Sequence, residues 1–247
     1  MGAKTGIAWC DMTFNPWWGC TKISPACKNC YAEGVASRFV GVQLWGEGSW
    51  RKPASESYWK QPLAWNRAAE REGKRYRVFC GSMCDVMEDR PDLEGSRNRL
   101  FQLITDTPNL DWLLLTKRPE NFRKFLPWIS TPWPNVWLGT TVENQEYFDK
   151  RSRYLVEIPA AVRFLSVEPQ LGQIDADLSG IDWVICGGES GPGARPMNIE
   201  CMRSVKDQCT AAGVAYFGKQ ICERGKPIPF DQFPEDLQIR KFPEVRR

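Results

Sequence analysis

Residues 19–32 of the chain read GCTKISPACKNCYA and place three cysteines on one short loop. Cys20, Cys27 and Cys30 follow the spacing C-x6-C-x2-C, in which the last two are close enough to converge from one turn. Three thiolates can hold three irons of a four-iron cluster and leave the fourth iron open for a ligand, which four cysteines would not allow. The loop therefore predicts a [4Fe-4S] cluster with one free coordination position.

The same loop also suits a structural zinc site. A CxxC pair with a third cysteine nearby is often part of such a site, and Cys10 is available as a fourth thiolate. Because the chain contains no histidine, a mixed Cys/His zinc site is excluded. The loop alone leaves iron–sulfur and zinc open, and the rest of the sequence has to separate them.

The length and composition predict one large soluble domain. A chain of 247 residues suits a single α/β barrel better than two small domains. Its ten cysteines come without a signal-peptide pattern, so we expect reduced thiols and a cytoplasmic protein. No apolar run approaches the roughly 20 residues of a membrane span. We expect a single domain over residues 1–247, with an insertion around 41–76 and an irregular tail over 223–247.

The net charge of +3 is too small to indicate a nucleic-acid partner, but the charges are unevenly distributed. Between Arg51 and Arg77 there are eight basic residues against three acidic ones, with Trp59 and Trp65 among them and Trp50 just before. Cations mixed with flat rings are what phosphate neutralisation and base stacking require. The other interpretation is an amphipathic helix that exposes its cations to solvent and buries its tryptophans in the core.

Short apolar runs of strand length recur along the chain, and a helical stretch follows each of them. Nearly continuous apolar strands are typical of a parallel sheet that is covered on both faces. The fold class is therefore predicted to be α/β, a partial (β/α) barrel of about six to seven parallel strands. The predicted strands are 7–14, 77–80, 111–116, 135–142, 161–167, 182–186 and 214–217, and the predicted helices are 31–40, 61–72, 92–105, 120–125, 143–156 and 199–212.

Polar side chains collect at one position in each repeat, at or just past the carboxyl end of the predicted strand. Ligands bind at that rim of a parallel barrel, because loops and helix N-termini converge there. The cysteine loop follows the first strand and opens on the same rim, which favours a catalytic cluster over structural zinc. Taken singly, the hydroxyl residues are equally expected as helix caps. The rim residues are Ser82, Asp85, Thr116, Lys117, Thr141, Glu143, Asn144, Ser166, Glu168, Glu189 and Ser190.

Several short motifs together resemble a phage-associated three-cysteine-motif family that is similar to the radical S-adenosylmethionine superfamily. The usual loop of that superfamily is C-x3-C-x2-C with an aromatic residue before the last cysteine. This chain instead has Asn29 before Cys30 and Tyr31 after it. The resemblance spans most of the chain and rests on residues 6–9, 15–16, 19–32, 82–83, 115–119, 142–144, 166–169 and 187–191.

The resemblance implies both the cofactors and the roles of the rim residues. In the superfamily the open iron of a [4Fe-4S] cluster binds S-adenosylmethionine, and an electron from an external donor cleaves it to a 5′-deoxyadenosyl radical that abstracts a substrate hydrogen. The resemblance assigns the methionine ammonium to Gly81, Ser82 and Asp85. It assigns the ribose or carboxylate to Thr141, Glu143, Asn144, Ser166 and Glu168, and the adenosine or substrate side to Gly187, Gly188 and Glu189.

Cys84, Lys117 and Cys186 are predicted on the substrate side, where a thiol near a radical can return a hydrogen atom. Buried cysteines more often simply fill space. We expect the substrate to be a nucleobase or nucleotide of phage DNA, on the strength of the basic aromatic stretch and the phage association. The alternative is a zinc-stabilised nucleic-acid-binding protein that does no chemistry.

Overall fold

The computed structural model describes residues 5–128, 130–191 and 193–245, in which seven parallel strands form one sheet. The strands lie side by side in chain order, and the sheet curls into half of a barrel as the sequence predicts. The strands are β1 Met12–Phe14, β2 Tyr76–Cys80, β3 Leu110–Thr116, β4 Val136–Thr141, β5 Val162–Val167, β6 Trp183–Gly187 and β7 Ala215–Gln220.

Helices connect the strands, and the predicted ranges 31–40, 61–72 and 199–212 match three of them. Two short antiparallel pairs lie outside the main sheet, Trp17–Trp18 with Lys52–Pro53 and Cys222–Glu223 with Lys226–Pro227. No helix of the described chain has both the length and the apolar character needed to cross a bilayer. The helices are α1 Tyr31–Val40, α2 Glu56–Trp59, α3 Gln61–Glu72, α4 Glu94–Thr105, α5 Phe122–Phe125, α6 Gln145–Val156 and α7 Ile199–Ala212.

Local capping explains where the elements depart from the predicted bounds. Helix α6 begins at Gln145 rather than at 143, because the Asn144 side chain accepts a hydrogen bond from the Tyr147 amide at 3.1 Å and caps the helix. The predicted strand 7–14 is paired only over Met12–Phe14, since a hydrogen bond from the Cys10 amide to the Ile7 carbonyl closes a turn before it.

The core has two apolar layers, one on each face of the sheet. The outer layer packs the sheet against the helices, including α4, α6 and α7. Among the described residues, the inner layer draws on no helix and fills the concave face with aromatic rings from the strands and from the turn before β1. The largest of these rings belong to Trp9, Phe79, Trp137, Phe164, Trp183 and Phe217.

The basic aromatic stretch does not form a stacking surface. Trp59 and Trp65 are buried in the outer core layer, as the amphipathic-helix interpretation has it, and Arg51 is buried as well. Trp50 alone among the three tryptophans of this stretch is exposed. The stretch therefore exposes fewer aromatic rings and cations for nucleic-acid binding than its composition indicates.

The tail is mostly irregular and holds short elements that pack on the rest of the chain. It contains one of the short strand pairs, and Phe233 and Leu237 are buried against the outer core layer. The last two residues of the predicted tail, and residues 1–4 on which the expectation of no leader partly rests, lie outside the described residues.

Replacing Gly139 by alanine is expected to destabilise the fold by about 1–3 kcal/mol. A methyl group there would overlap the ring of Phe164, which is fixed in the inner core layer. Urea denaturation measures the loss. The control is Gly95→Ala, an exposed position on α4 with no atom within 4 Å of the added methyl, where we expect no loss or a gain of up to about 1 kcal/mol. Equal losses in both variants would contradict this account of the packing.

Candidate functional site

The three loop cysteines line one cavity at the carboxyl ends of the strands. Cys20, Cys27 and Cys30 share it with residues at or just past the carboxyl ends of β2, β3, β4 and β5. Its volume is about 360 Å³, within the range of about 300–1,000 Å³ that is usual for small-molecule sites. The rim that the sequence predicts as a ligand site therefore carries a cavity large enough for a small molecule.

Most of the predicted site residues line this cavity together with the cysteines. The hydroxyl residues that do so lie at or past the ends of β2, β3, β4, β5 and β6, and the charged ones come from the loops behind β2, β3 and β5. The predicted residues on the cavity wall are Gly81, Ser82, Cys84, Asp85, Thr116, Lys117, Thr141, Ser166, Glu168 and Ser190.

Six predicted residues do not line the cavity. Asn144 caps α6, and Cys186 is fully buried with its thiol 3.2 Å from the Gln170 side-chain oxygen. Gly187 and Gly188 pack against the end of β7 and its following residues. Glu143 and Glu189 lie behind the cysteine loop and bind it instead.

The cysteine loop begins at a tight approach to the chain behind it. Gly19 has a positive φ of 117°, and a Cβ there would collide with the Leu44 carbonyl oxygen at 2.5 Å, so only glycine fits. The Gly19 amide donates to the Met83 carbonyl at 3.0 Å, which ties the loop to the end of β2. A single 3₁₀ turn over Pro25–Cys27 then leads to Cys30, the residue before α1.

Glu88 holds the loop beside Cys20. Its carboxylate accepts a hydrogen bond from the Thr21 amide at 3.1 Å. On its other side the Arg51 guanidinium donates two hydrogen bonds to the same carboxylate, at 2.9 and 2.7 Å. Both Glu88 and Arg51 are 3% exposed. This buried bidentate pair fixes the main chain next to the first cysteine.

Glu143 holds the loop beside Cys27 in the same way. Its carboxylate accepts from the Ala26 amide at 3.3 Å and from Arg151 of α6 at 2.8 Å, and it is 0% exposed. Arg151 also donates to the Thr141 carbonyl at 2.8 Å. The pair thus joins the loop, the end of β4 and helix α6.

Glu189 holds the loop beside Cys30. It accepts from the Asn29 side-chain amide at 2.9 Å and from Arg195, which also reaches the Pro25 carbonyl at 3.0 Å. Burial, the largest influence, acts to raise the pKa of Glu189, but the hydrogen bonds from Arg195 and Asn29 outweigh it and lower the pKa. Glu189 is therefore ionised at neutral pH and paired with Arg195.

These three residues, Glu88, Glu143 and Glu189, are called the loop carboxylates below. Each contacts the residue next to one cysteine, each is paired with its own arginine, and they follow the alternate strands β2, β4 and β6. Buried carboxylates need both a countercharge and hydrogen bonds, so each fixes its stretch of the loop against a rigid partner. The positions of the cysteines are set by the protein itself.

Arg118 connects Cys20 to the end of β2. Its guanidinium lies 3.7 Å from the Cys20 sulfur, donates to Asp85 at 2.9 Å and donates to the Thr21 carbonyl at 2.8 Å. Asp85 also accepts from the Met87 and Lys117 amides and from the Thr116 hydroxyl. The four acceptor positions of this carboxylate are therefore in use.

Burial raises the pKa of the Cys20 thiol to about 12, and the charge of Asp85 adds to that rise while Arg118 opposes it. Burial, with Cys80 and Cys20 nearby, also raises the pKa of Cys84 well above its usual value. Both thiols are protonated at neutral pH. A metal that binds Cys20 must therefore displace its proton.

The zinc interpretation needs four thiolates around one ion. Cys10 does not line the cavity, and its thiol lies 3.9 Å from the Ile7 carbonyl oxygen. In residues 5–128, 130–191 and 193–245, no three His, Cys, Asp or Glu side chains stand close enough together to hold a metal ion. The described chain thus gathers neither Cys10 with the loop cysteines nor the three loop cysteines with one another around a single ion.

Sequence reasoning missed four residues that shape the site. Arg51 was counted only as one of the basic residues of the stretch 51–77, and Arg195 was not considered. Glu88 and Arg118 come just behind residues that were chosen, Asp85 and Lys117, at the ends of β2 and β3. Their position after a strand was the available signal, and extending each rim segment by a few residues would have found them.

A model of the family described as "Protein of unknown function (DUF5131)" matches residues 4–231 of the chain. No curated protein and no solved structure matches this chain.

Removing one partner of the Glu143–Arg151 pair is expected to cost about 3–5 kcal/mol, because the other charge stays buried. Urea denaturation of Glu143→Gln and Arg151→Met measures this, and hydrogen exchange of residues 20–30 should become faster in both. The combined variant should lose less than the sum of the two. On the same helix, the exposed pair Glu146–Lys150 is the control, and Glu146→Gln should cost less than about 1 kcal/mol. If the loss of stability in the combined variant equals the sum of the two single losses, Glu143 and Arg151 do not stabilise each other.

Proposed function

We propose that this chain, which belongs to that family of proteins of unknown function, is a radical S-adenosylmethionine enzyme that modifies a nucleobase or nucleotide. One observation carries the proposal. Three cysteines, each held by a loop carboxylate beside it, line a small-molecule cavity at the carboxyl rim of a parallel half-barrel. A merely structural metal would not need a cavity of that size next to its ligands.

The donor set fits a [4Fe-4S] cluster. Three thiols from one loop supply one ligand to each of three irons, and a four-iron cluster spreads its ligands farther apart than a single ion does. Arg118 places an N–H group 3.7 Å from the Cys20 sulfur, a kind of outer contact that orients and tunes metal ligands. Cys20, Cys27 and Cys30, which line the cavity, would hold the cluster.

When bound, the cluster and S-adenosylmethionine supply reductive cleavage of the sulfonium and removal of a substrate hydrogen, with the electron coming from an external donor. The chain would bind and orient the cofactor through the polar groups that line the cavity. Asp85 already accepts four hydrogen bonds, so the hydroxyls of Ser82, Thr141 and Ser166 are better placed than its carboxylate to meet the cofactor.

Cys84 and Lys117 remain the substrate-side candidates, because both line the cavity whereas Cys186 does not. The raised pKa of Cys84 keeps its hydrogen on sulfur at neutral pH, the form from which a thiol can return a hydrogen atom. Glu143 and Glu189 are reassigned from cofactor binding to support of the loop, in agreement with their contacts.

A cytoplasmic location is part of the proposal. All ten cysteines of the chain are free thiols, and free thiols persist in a reducing compartment. Phage association and a DNA substrate rest on the sequence resemblance alone.

Anaerobic reconstitution with iron and sulfide tests the proposal. We expect a brown protein with about four irons per chain, and 5′-deoxyadenosine after reduction in the presence of S-adenosylmethionine. Cys27→Ala should lose the cluster. Cys10→Ala and Cys84→Ala should keep it, and so should Cys201→Ala, a buried position on α7 away from the cavity.

A colourless protein with one zinc, lost in Cys10→Ala, would contradict the cluster and support the alternative of a zinc-stabilised protein without catalysis. A brown protein that forms no 5′-deoxyadenosine under reduction would refute the enzymatic part of the proposal.

A further inference from the structure

Exposed apolar side chains of the described residues collect around the cysteine loop. Seven large apolar side chains are exposed in this part of the chain, and five of them lie between residues 23 and 50. A single exposed apolar side chain is ordinary, whereas a concentration of them marks an interaction surface. The five are Ile23, Tyr31, Phe39, Val42 and Trp50.

Helix α1 carries two of these rings outwards from the cavity. Tyr31 is its first residue, lines the cavity and donates from its hydroxyl to the Ser82 carbonyl at 2.9 Å. Residues four apart lie on one side of a helix, so Tyr31, Val35 and Phe39 form a stripe in which the first and last are about 12 Å apart along the axis. Tyr31 is 56% exposed and Phe39 is 77% exposed. Both rings are therefore open to a ligand that extends beyond the cavity.

Lys28 and Arg38 bring positive charge to this stripe. Arg38 precedes Phe39 on α1 and lies two turns from Tyr31, hence on the same side of the helix. The Lys22 ammonium, paired with Glu33 of α1 at 2.5 Å, also reaches the Lys28 carbonyl at 3.5 Å and so places Lys28 beside the first turn. Lys28 and Arg38 are exposed, and neither forms an ion pair within the described residues.

These four residues, Lys28, Tyr31, Arg38 and Phe39, are called the α1 surface below. Arg38 and Phe39 do not line the cavity, so a small molecule inside it does not reach them. A ligand that uses the whole surface is extended and offers flat groups and negative charges along its length. Single-stranded nucleic acid has both, since its phosphates bind cations and its bases stack on exposed rings. An acidic protein would meet the cations but would leave the rings without stacking partners.

We infer that the α1 surface binds single-stranded nucleic acid and leads one of its bases into the cavity. The substrate is then a base within a polynucleotide rather than a free nucleotide. Bases stack on Tyr31 and Phe39, and phosphates bind Lys28 and Arg38. This inference rests on the proposed function for the reaction, but the binding itself needs neither cluster nor S-adenosylmethionine.

Fluorescence anisotropy of the metal-free, full-length protein with a labelled oligothymidylate of roughly ten nucleotides tests the inference. An abasic deoxyribose phosphate oligomer of equal length carries the same charge without bases. We expect saturable binding of oligothymidylate, about tenfold or more tighter than that of the abasic oligomer. Oligouridylate is measured in parallel, and tighter binding of either strand supports the inference and identifies the preferred sugar. Equally tight binding of the abasic oligomer, or of polyglutamate of equal charge, would overturn it, because the rings would then contribute nothing.

Two variants of α1 separate stacking from charge. Phe39→Ser should weaken oligothymidylate binding about fivefold or more, and Arg38→Gln should lower the slope of log K against log salt concentration by about 0.7. The matched controls are Val156→Ser, an exposed apolar position on α6, and Arg67→Gln, an exposed cation on α3 with no ion pair in the described chain. Both controls should bind as the parent does. Equal losses in the controls, or no loss in Phe39→Ser, would overturn the assignment.

Further outcomes separate this inference from its alternatives. Sedimentation that shows a dimer of the parent, dispersed in Phe39→Ser, in place of oligonucleotide binding would assign the α1 surface to a second copy of the chain and overturn the inference. Cluster uptake and 5′-deoxyadenosine formation without oligonucleotide binding would refute the inference alone. Failure to take up iron, with oligonucleotide binding intact, would refute the proposed function alone.

Discussion

Carboxylates buried against arginines determine where the three cysteines stand. A charge inside a protein is tolerated only with a countercharge and a full set of hydrogen bonds, and each loop carboxylate obtains part of that set from the cysteine loop. The loop therefore completes three buried ion pairs as it docks. Displacing the loop would leave carboxylates short of donors, which is costly in a water-poor site.

The parallel half-barrel makes this arrangement available. All seven strands run the same way, so the segments behind β2, β4 and β6 emerge at one edge of the sheet, where the loop behind β1 also lies. Carboxylates from alternate strands can then reach successive parts of a single loop. The inner aromatic layer lies beneath, and Trp9 and Phe79 belong both to it and to the cavity wall. One architecture thus supplies a polar support for the loop and an apolar wall in front of it.

Much of the fold could be predicted from the sequence, because apolar runs and helical periods depend on local residues. The bounds of α1, α3 and α7 and the seven-stranded parallel sheet agree with those patterns. The turn before β1 does not agree with those patterns. Trp9 and Cys10 are apolar and β-prone, which predicts a strand, but they have no neighbouring strand to pair with. Arg51 was misjudged for a related reason, because composition does not reveal that a buried glutamate will neutralise it.

The sequence predicts where the site residues lie, just past the strand ends, but not which way their side chains face. Residues just past strand ends do gather at the rim, yet Glu143 and Glu189 face the back of the cysteine loop while Ser166 and Glu168 face the cavity. The direction depends on the path of each loop, and no period in the sequence encodes it.

The buried ion pairs behind the cysteine loop also bear on how such a protein would mature. Small zinc domains cannot fold before their metal arrives, because the metal supplies the folding energy. Here the ligand loop docks through contacts that belong to the polypeptide alone. Under the function proposed above, a cluster would be inserted into a loop that is already docked, and loss of the cluster would leave the fold intact so that a new cluster could be inserted.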